Sequence, residues 1–283
     1  MEDGDLLIDF SGGTGILLNR LLLRIFDRPI GTLIVDASQK FLRVAVEHFR
    51  DDPRVGVRLL RYLRDQKRLE FIDEVLDAPL LERKADAIVS TNALHLYSNL
   101  DETLRSWARV VRPGGRLYIN SGNVRNPDAA SNEWILDETV YVVHEVATGI
   151  ARTDPRYEAY RDVLYDGPRL QRHLDFRDRV FAAPRPLALY TDALDRAGFE
   201  VHRVTKETIA ADVDDWFELL SAYHEPVLGW VGGTAKVDGA EPAEQAVEDR
   251  LALIRDALEV IFGERPGFKC CWTYIEGQRR EDP

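Results

Sequence analysis

Short apolar runs alternate with helix-spaced stretches along the first 125 residues. The runs at 5–9, 32–36, 55–62, 85–90 and 116–121 read as buried strands. Between them, 15–26, 38–50, 64–82 and 99–111 carry the three- and four-residue apolar spacing of amphipathic helices. Such alternation predicts a doubly wound α/β domain: a mostly parallel sheet with right-handed crossovers and helices on both faces, in which the later apolar runs near 199–209 and 268–276 would bring the strands to seven. A ligand is then expected at the carboxyl ends of the strands, where Asp9, Asp36 and Asn92 fall.

Two segments exceed what that fold needs. Residues 124–183 and 210–267 both read as mainly helical. The second carries Asp212–Leu228, a glycine-rich turn from Gly229 to Thr234 and an amphipathic helix near Glu241–Phe262. The expected organisation is therefore a nucleotide-type binding domain from 1–123, 184–209 and 268–283. The two helical insertions are expected to form a cap over the substrate. No internal repeat or low-complexity tract interrupts the chain.

The first strand ends in Asp9-Phe10-Ser11-Gly12-Gly13-Thr14-Gly15 and leads directly into a helix start. Glycines allow close backbone approach to a ligand, and the free N–H groups of a helix N-terminus attract negative charge. A nucleotide-type cofactor is implied. The dinucleotide fingerprint needs one more glycine, at the position held by Leu18, and no Gly-Lys-Ser/Thr follows to make a P-loop. A second acid, Asp36, ends the next apolar run. A carboxylate there can take both hydroxyls of a ribose, or it can cap the following helix.

These stretches resemble the class I S-adenosylmethionine-dependent methyltransferases, whose first motif is a strand ending in acid-x-Gly-x-Gly-x-Gly. Gly13 and Gly15 match that motif, and Ser11 stands where the first glycine is usual. The resemblance continues through Asp36, the strand and loop from Ala85 to Leu96, the Pro113-Gly114-Gly115 turn, and Arg196-Ala197-Gly198-Phe199 before a final strand near 268–276. It implies S-adenosyl-L-methionine as cofactor and S-adenosyl-L-homocysteine as product. Ser11, Gly12, Gly13 and Gly15 would surround the methionine part, Asp9 the amino end and Asp36 the ribose. Ala37, Ser38, Asn92 and Ala93 would complete the cofactor contacts. Two features depart from the pattern. Helices that usually precede the first strand are missing, and no acid stands clearly near the adenine, Asp65 being equally readable as a helix cap. The Asn-Pro-Pro-aromatic tetrapeptide of branches that modify amino groups of adenine or glutamine is absent at Ser90-Thr91-Asn92-Ala93.

Composition narrows the acceptor. A net charge of −12 argues against a nonspecific grip on nucleic acid. No apolar stretch is long enough to span a membrane and no signal pattern opens the chain, so a cytoplasmic, membrane-free protein is expected. Cys270 and Cys271 are adjacent on a predicted strand and read as buried thiols. No metal-ligand spacing occurs.

A small-molecule acceptor fits two aromatic, imidazole-bearing clusters in the insertions. Trp134, Tyr141, His144 and Glu145 lie on one helical stretch, and Trp216, Tyr223, His224 and Trp230 form the second. His144 and His224 are the candidate general bases. His95, Trp134, Tyr141, Glu145, Tyr223 and Trp230 are the candidate substrate contacts. Aromatics at helical spacing also read as plain core. A homodimer is expected from the missing N-terminal cover. The alternatives are a cofactor-binding regulatory or accessory subunit that does not methylate, and an NAD(P)-dependent oxidoreductase, against which Leu18 counts.

Overall fold

The computed structural model describes residues 1–24, 28–263 and 268–281. The last two positions of the helix expected over 15–26, and the outermost residues of the expected segments 210–267 and 268–283, lie outside the described residues. The chain divides into two compact units. One comprises Met1–Val124, Pro186–Lys206 and Thr273–Pro283, the other Arg125–Arg185 and Glu207–Trp272.

The first unit is built on strands β1 (Leu6–Phe10), β2 (Gly31–Asp36), β3 (Val55–Leu59), β4 (Ala85–Thr91), β5 (Val111–Ser121), β6 (Phe199–Ala211) and β7 (Phe268–Arg279). Their order across the sheet is β3-β2-β1-β4-β5-β7-β6, and β7 runs antiparallel to β5. All five residues of β1 are buried because parallel neighbours flank it on both sides, with Leu6 opposite Gly31 and Leu7 opposite Ala87. A central strand of this kind reads as an unbroken apolar run. Asp9 is the one exception in β1.

Helix α1 (Ile16–Arg24) turns Leu18 and Leu22 inward, and α2 (Gln39–His48) starts at Ser38, whose hydroxyl accepts from the Phe41 amide. Helix α3 (Leu100–Val110) buries Trp107, whose ring meets Phe10 edge-on at 4.9 Å. The Pro113-Gly114-Gly115 segment lies within β5, where the pairing with β4 shifts register between Ala85 and Ala87.

The helix expected over 64–82 is not present as such. A two-stranded hairpin pairs Tyr62–Leu63 with Arg68–Leu69, and short helices follow at Ile72–Val75 and Ala78–Arg83. Glu70 explains the hairpin: it is buried, its carboxylate accepts from the Arg61 amide at 2.8 Å and it pairs with the Arg61 guanidinium at 2.5 Å. Lys67 takes a positive φ of 52° to close the turn. This paired clasp overrides the helix propensity of a charged stretch. Asp65 lies exposed in that turn.

The second unit packs α4 (Leu136–Thr153) and α8 (Glu244–Phe262) through Val143, Ala147, Leu253 and Ala257. Helices α5 (Gly167–Val180) and α7 (Val213–Ala222) complete its core with Phe181, Trp216 and Leu220. Asp212 and Asp215 cap α7 reciprocally. The expected stretch 212–228 is broken at Tyr223, and a short helix follows at His224–Leu228. Arg177 is buried, with its guanidinium over the Tyr141 ring. Cys270 and Cys271 are free thiols, both buried, and burial pushes Cys270 up to about 12. Among the described residues no helix is long and apolar enough to cross a membrane, and no cluster of metal-ligating side chains occurs.

Candidate cofactor and acceptor site

The glycine turn is folded onto the tip of β2. After Phe10 the chain takes positive φ at Ser11 (60°), Gly13 (56°) and Gly15 (77°). The Ser11 amide donates to the Val35 carbonyl at 2.6 Å, and the Gly15 amide closes the turn on the Gly12 carbonyl at 2.9 Å. A Cβ at Gly12 would lie 2.5 Å from Asp9 Oδ2, and one at Gly15 would lie 2.5 Å from the Phe49 ring. Glycine at these two positions is therefore a steric requirement.

Two carboxylates meet at this turn in opposite condition. Asp36 Oδ2 accepts from the Gly13 amide at 2.9 Å, and its Oδ1 accepts from the Ser38 amide at 2.6 Å. Each oxygen retains lone-pair capacity for a further donor such as a ribose hydroxyl. Asp9 is fully buried, and neither of its oxygens has a hydrogen-bond partner. Burial, with the Asp36 charge adding to it, pushes its carboxyl up to about 7. A buried carboxylate without a donor calls for a cationic or donor-rich ligand group. S-Adenosylmethionine carries both an α-ammonium and a ribose diol, so these residues fit it.

The loop after β4 is braced to the end of β5. Asn92 adopts φ 49°, its amide donates to the Asn120 carbonyl at 2.8 Å, and its Oδ1 accepts from the Gly122 amide at 3.1 Å. His95 is buried with Nδ1 3.0 Å from Ser121 Oγ, which also accepts from the Asn123 amide. Tyr97 joins its hydroxyl to Ser11 Oγ and so ties this loop to the glycine turn. Asn92 and His95 thus serve as braces, and Ala93 is buried beside them. Sequence reasoning missed Tyr97 and Ser121. A polar residue closing β5 and a tyrosine just past β4 are the signals that point to them.

Residues 8–117 match the family model described as a methyltransferase domain. This stretch is a methyltransferase domain. A stretch of 124 residues is 28% identical to the ubiquinone/menaquinone biosynthesis C-methyltransferase UbiE of Edwardsiella ictaluri (strain 93-146), covering 42% of this chain and 43% of that one. A further 112-residue stretch is 30% identical to fusarielin synthase FSL1 of Gibberella zeae, covering 40% of this chain and 4% of the synthase. The chain spans less than half the length of these relatives. Among solved structures, YcgJ of Bacillus subtilis aligns over 99% of this chain and 94% of its own with a TM-score of 0.52 at 14% identity. The [4+2]-cyclase SpnF aligns over 100% and 77% with a TM-score of 0.52 at 15% identity. These likenesses bear on the fold, which is the Rossmann-like class I arrangement of the methyltransferases.

The residues expected to contact substrate outside the methyltransferase domain are distributed differently in the second unit. Trp134 and Tyr141 line one open cavity of about 660 Å³. Tyr141 donates its hydroxyl to the Phe181 carbonyl at 3.1 Å. His144, four residues before the equally buried and unpartnered hydroxyl of Thr148, turns away from that cavity toward Trp230, with ring centroids 6.3 Å apart. Its Nε2 is buried without a partner, and burial, then the Arg177 charge, pushes the imidazole down to about 4. Glu145 is exposed and Trp230 is core. Tyr223 is exposed at one edge of Phe181. His224 Nδ1 lies 2.9 Å from Arg250 Nη1, so it accepts the guanidinium proton. The two aromatic clusters read from the sequence are therefore one cavity wall, formed by Trp134 and Tyr141, and a packed interior around Trp230.

Proposed function

We propose that this protein is an S-adenosylmethionine-dependent methyltransferase acting on a small-molecule acceptor. The observation that carries the reading is the pair of carboxylates at the glycine turn: Asp36 held by the Gly13 and Ser38 amides, and Asp9 buried beneath Gly12 with no partner. When bound, the cofactor supplies an electrophilic methyl group on a sulfonium. Asp36 takes the ribose diol, Asp9 the ammonium, and the backbone of Ser11 to Gly15 the methionine chain. Asp9 would ionise against an ammonium held there, so its uncompensated buried acid would become one half of an ion pair.

Methyl transfer needs alignment of acceptor and methyl and the exclusion of water, and it needs a base only when the acceptor must lose a proton. Of the two candidate histidines, His224 already uses one ring nitrogen to accept from Arg250, which puts its own hydrogen on the other. His144 keeps an unengaged nitrogen and is neutral at physiological pH, but it packs on Trp230 away from the open cavity, so the proposed transfer is assigned no histidine base. The names of the relatives, a C-methyltransferase and a biosynthetic synthase, favour a small acceptor.

Calorimetric titration with S-adenosylmethionine and S-adenosylhomocysteine, in parallel on Asp36→Ala, tests the reading. Micromolar binding that weakens by about 100-fold in the variant is expected, since two charge-assisted hydrogen bonds are lost. Absence of binding by folded wild type overturns it. Release of S-adenosylhomocysteine with a methylated product separates the enzyme from a cofactor-binding accessory subunit.

A further inference from the structure

The cavity of the second unit has a chemistry of its own. Its volume of about 660 Å³ falls in the range of small-molecule sites. Trp134, Ile135, Tyr141 and Val142 form its apolar wall. The wall is held rigidly. Glu133–Trp134 pairs as a strand with Lys269–Cys270, and the Trp134 ring stands edge-on to Phe262 at 5.3 Å. Tyr141 is pinned at its hydroxyl by the Phe181 carbonyl, while Arg177 covers its ring at 4.3 Å. A wall whose aromatic rings are already fixed loses little side-chain entropy when a ligand arrives.

Three ionisable side chains border the cavity, Arg125, Glu133 and Glu138, and together they leave it one negative charge in excess. Arg125 is ion-paired with Glu138. Glu133 accepts from the Ala130 amide at 2.8 Å through one oxygen and from the Thr208 hydroxyl at 2.5 Å through the other. An anionic ligand would meet that excess and would have to draw Arg125 from Glu138, whereas a neutral one displaces nothing. The uncharged polar side chains Ser131 and Asn132 remain to take a hydroxyl or carbonyl.

From the fixed aromatic wall and a lining whose arginine is already paired with Glu138, we propose that this cavity is a binding site for a neutral, predominantly apolar molecule with a planar ring. Selection works by charge: the Arg125–Glu138 pair screens out anions that a free arginine would attract.

Two probes that share a ring system and differ by a sulfonate test this on the full chain. They are N-phenyl-1-naphthylamine, which is neutral, and 1-anilinonaphthalene-8-sulfonate, which is anionic. Fluorescence titration is expected to show the neutral probe binding at least tenfold more tightly. Tyr141→Ala should weaken that binding at least tenfold. Glu138→Gln frees Arg125 and should narrow the gap at least fivefold by strengthening the sulfonate, a gain that misfolding cannot produce. Equal affinities in the wild type, an unchanged ratio in Glu138→Gln, or full neutral-probe binding by Tyr141→Ala would each overturn the proposal. Calorimetry with S-adenosylmethionine on the same samples keeps the two ideas apart. Lost cofactor binding with probe discrimination intact refutes the proposed reaction alone, and retained cofactor binding without discrimination refutes the cavity's role alone.

Discussion

Asp9 in the first unit and Arg250 in the second are both fully buried charged residue types, and they are treated in opposite ways. Arg250 donates to the Val231 carbonyl at 2.6 Å, to the Gly233 carbonyl at 2.6 Å and to His224 Nδ1 at 2.9 Å. Asp9 has no partner at either oxygen. A buried charge whose hydrogen bonds are complete fixes local structure, here the turn from Gly229 to Thr234. A buried charge with none destabilises the unliganded fold and is explained only by what binds there. The contrast marks the second unit's interior as scaffold and the base of the glycine turn as the place prepared for a ligand.

The largest effect follows from removing the scaffold charge. Arg250→Met deletes four charge-assisted hydrogen bonds and leaves two buried carbonyls unmet, a loss on the order of 5 kcal/mol. Urea unfolding should show it directly. Cofactor affinity of the folded fraction should be unchanged. If the variant is instead as stable as wild type but fails to bind S-adenosylmethionine, the division of roles between the two units is wrong.

Asp9 should act through pH. The folded protein holds this proton up to about 7, whereas the unfolded chain releases it near 3.8, so folding takes up a proton between those values. The stability this group contributes is complete below about pH 4 and is lost as pH rises through about 7. Between pH 5 and pH 8 the loss is about 3 kcal/mol. Asp137, in the second unit, is likewise pushed up to about 7 by burial and loses stability over the same window. Asp9→Asn should therefore remove about 3 kcal/mol of decline between pH 5 and pH 8, set against the opposing rise from His144, His173 and His224, which burial pushes down. Saturating S-adenosylmethionine should do the same to wild type by supplying a cation. An unchanged slope in Asp9→Asn would mean that water already solvates this carboxylate.

Much of the cofactor site is legible in the sequence, because it depends on local backbone chemistry. The strand that ends in Asp9, the glycines packed over it and Asp36 one strand away all lie within short windows whose residue types have few other uses. The features that escape such a reading are decided across longer distances. Arg250 sits in an amphipathic helix where an arginine ordinarily faces solvent, and only the carbonyls of Val231 and Gly233 draw it inward. The Arg61–Glu70 clasp converts an expected helix into a hairpin. Tyr141 and His144, three residues apart, share a helical face by spacing alone. In the folded unit Tyr141 lines the cavity while His144 packs on Trp230.

Two glycine substitutions sharpen the same contrast at a smaller scale. At Gly232, φ is 76° and a Cβ would lie 2.3 Å from Ala246 Cβ, so Gly232→Ala should cost about 2–3 kcal/mol through overpacking and left-handed strain. Its cofactor affinity should stay at the wild-type value. Gly12→Ala places its methyl against the Asp9 carboxylate, which has nowhere to retreat. It should cost about 1–2 kcal/mol in unfolding experiments and weaken S-adenosylmethionine binding at least tenfold. Equal effects of the two alanines on binding would remove the distinction between a scaffold turn and a ligand turn.

The smallest effect is expected at Ser11, where two terms oppose. A non-glycine residue at φ 60° carries about 1 kcal/mol of backbone strain, which glycine would relieve. The same replacement removes the hydrogen bond between Ser11 Oγ and the Tyr97 hydroxyl, worth about 1 kcal/mol. Ser11→Gly should therefore leave stability within about 1 kcal/mol of wild type, while Tyr97→Phe alone, which keeps the strain and loses the bond, should destabilise by about 1 kcal/mol. In the double variant the Tyr97 substitution should add nothing further, because its partner is already gone. A full additional loss there would mean that the Tyr97 hydroxyl has a further partner, since phenylalanine keeps the ring against Phe10 at 5.4 Å between centroids, and that serine stands in the glycine motif for some reason other than this tie.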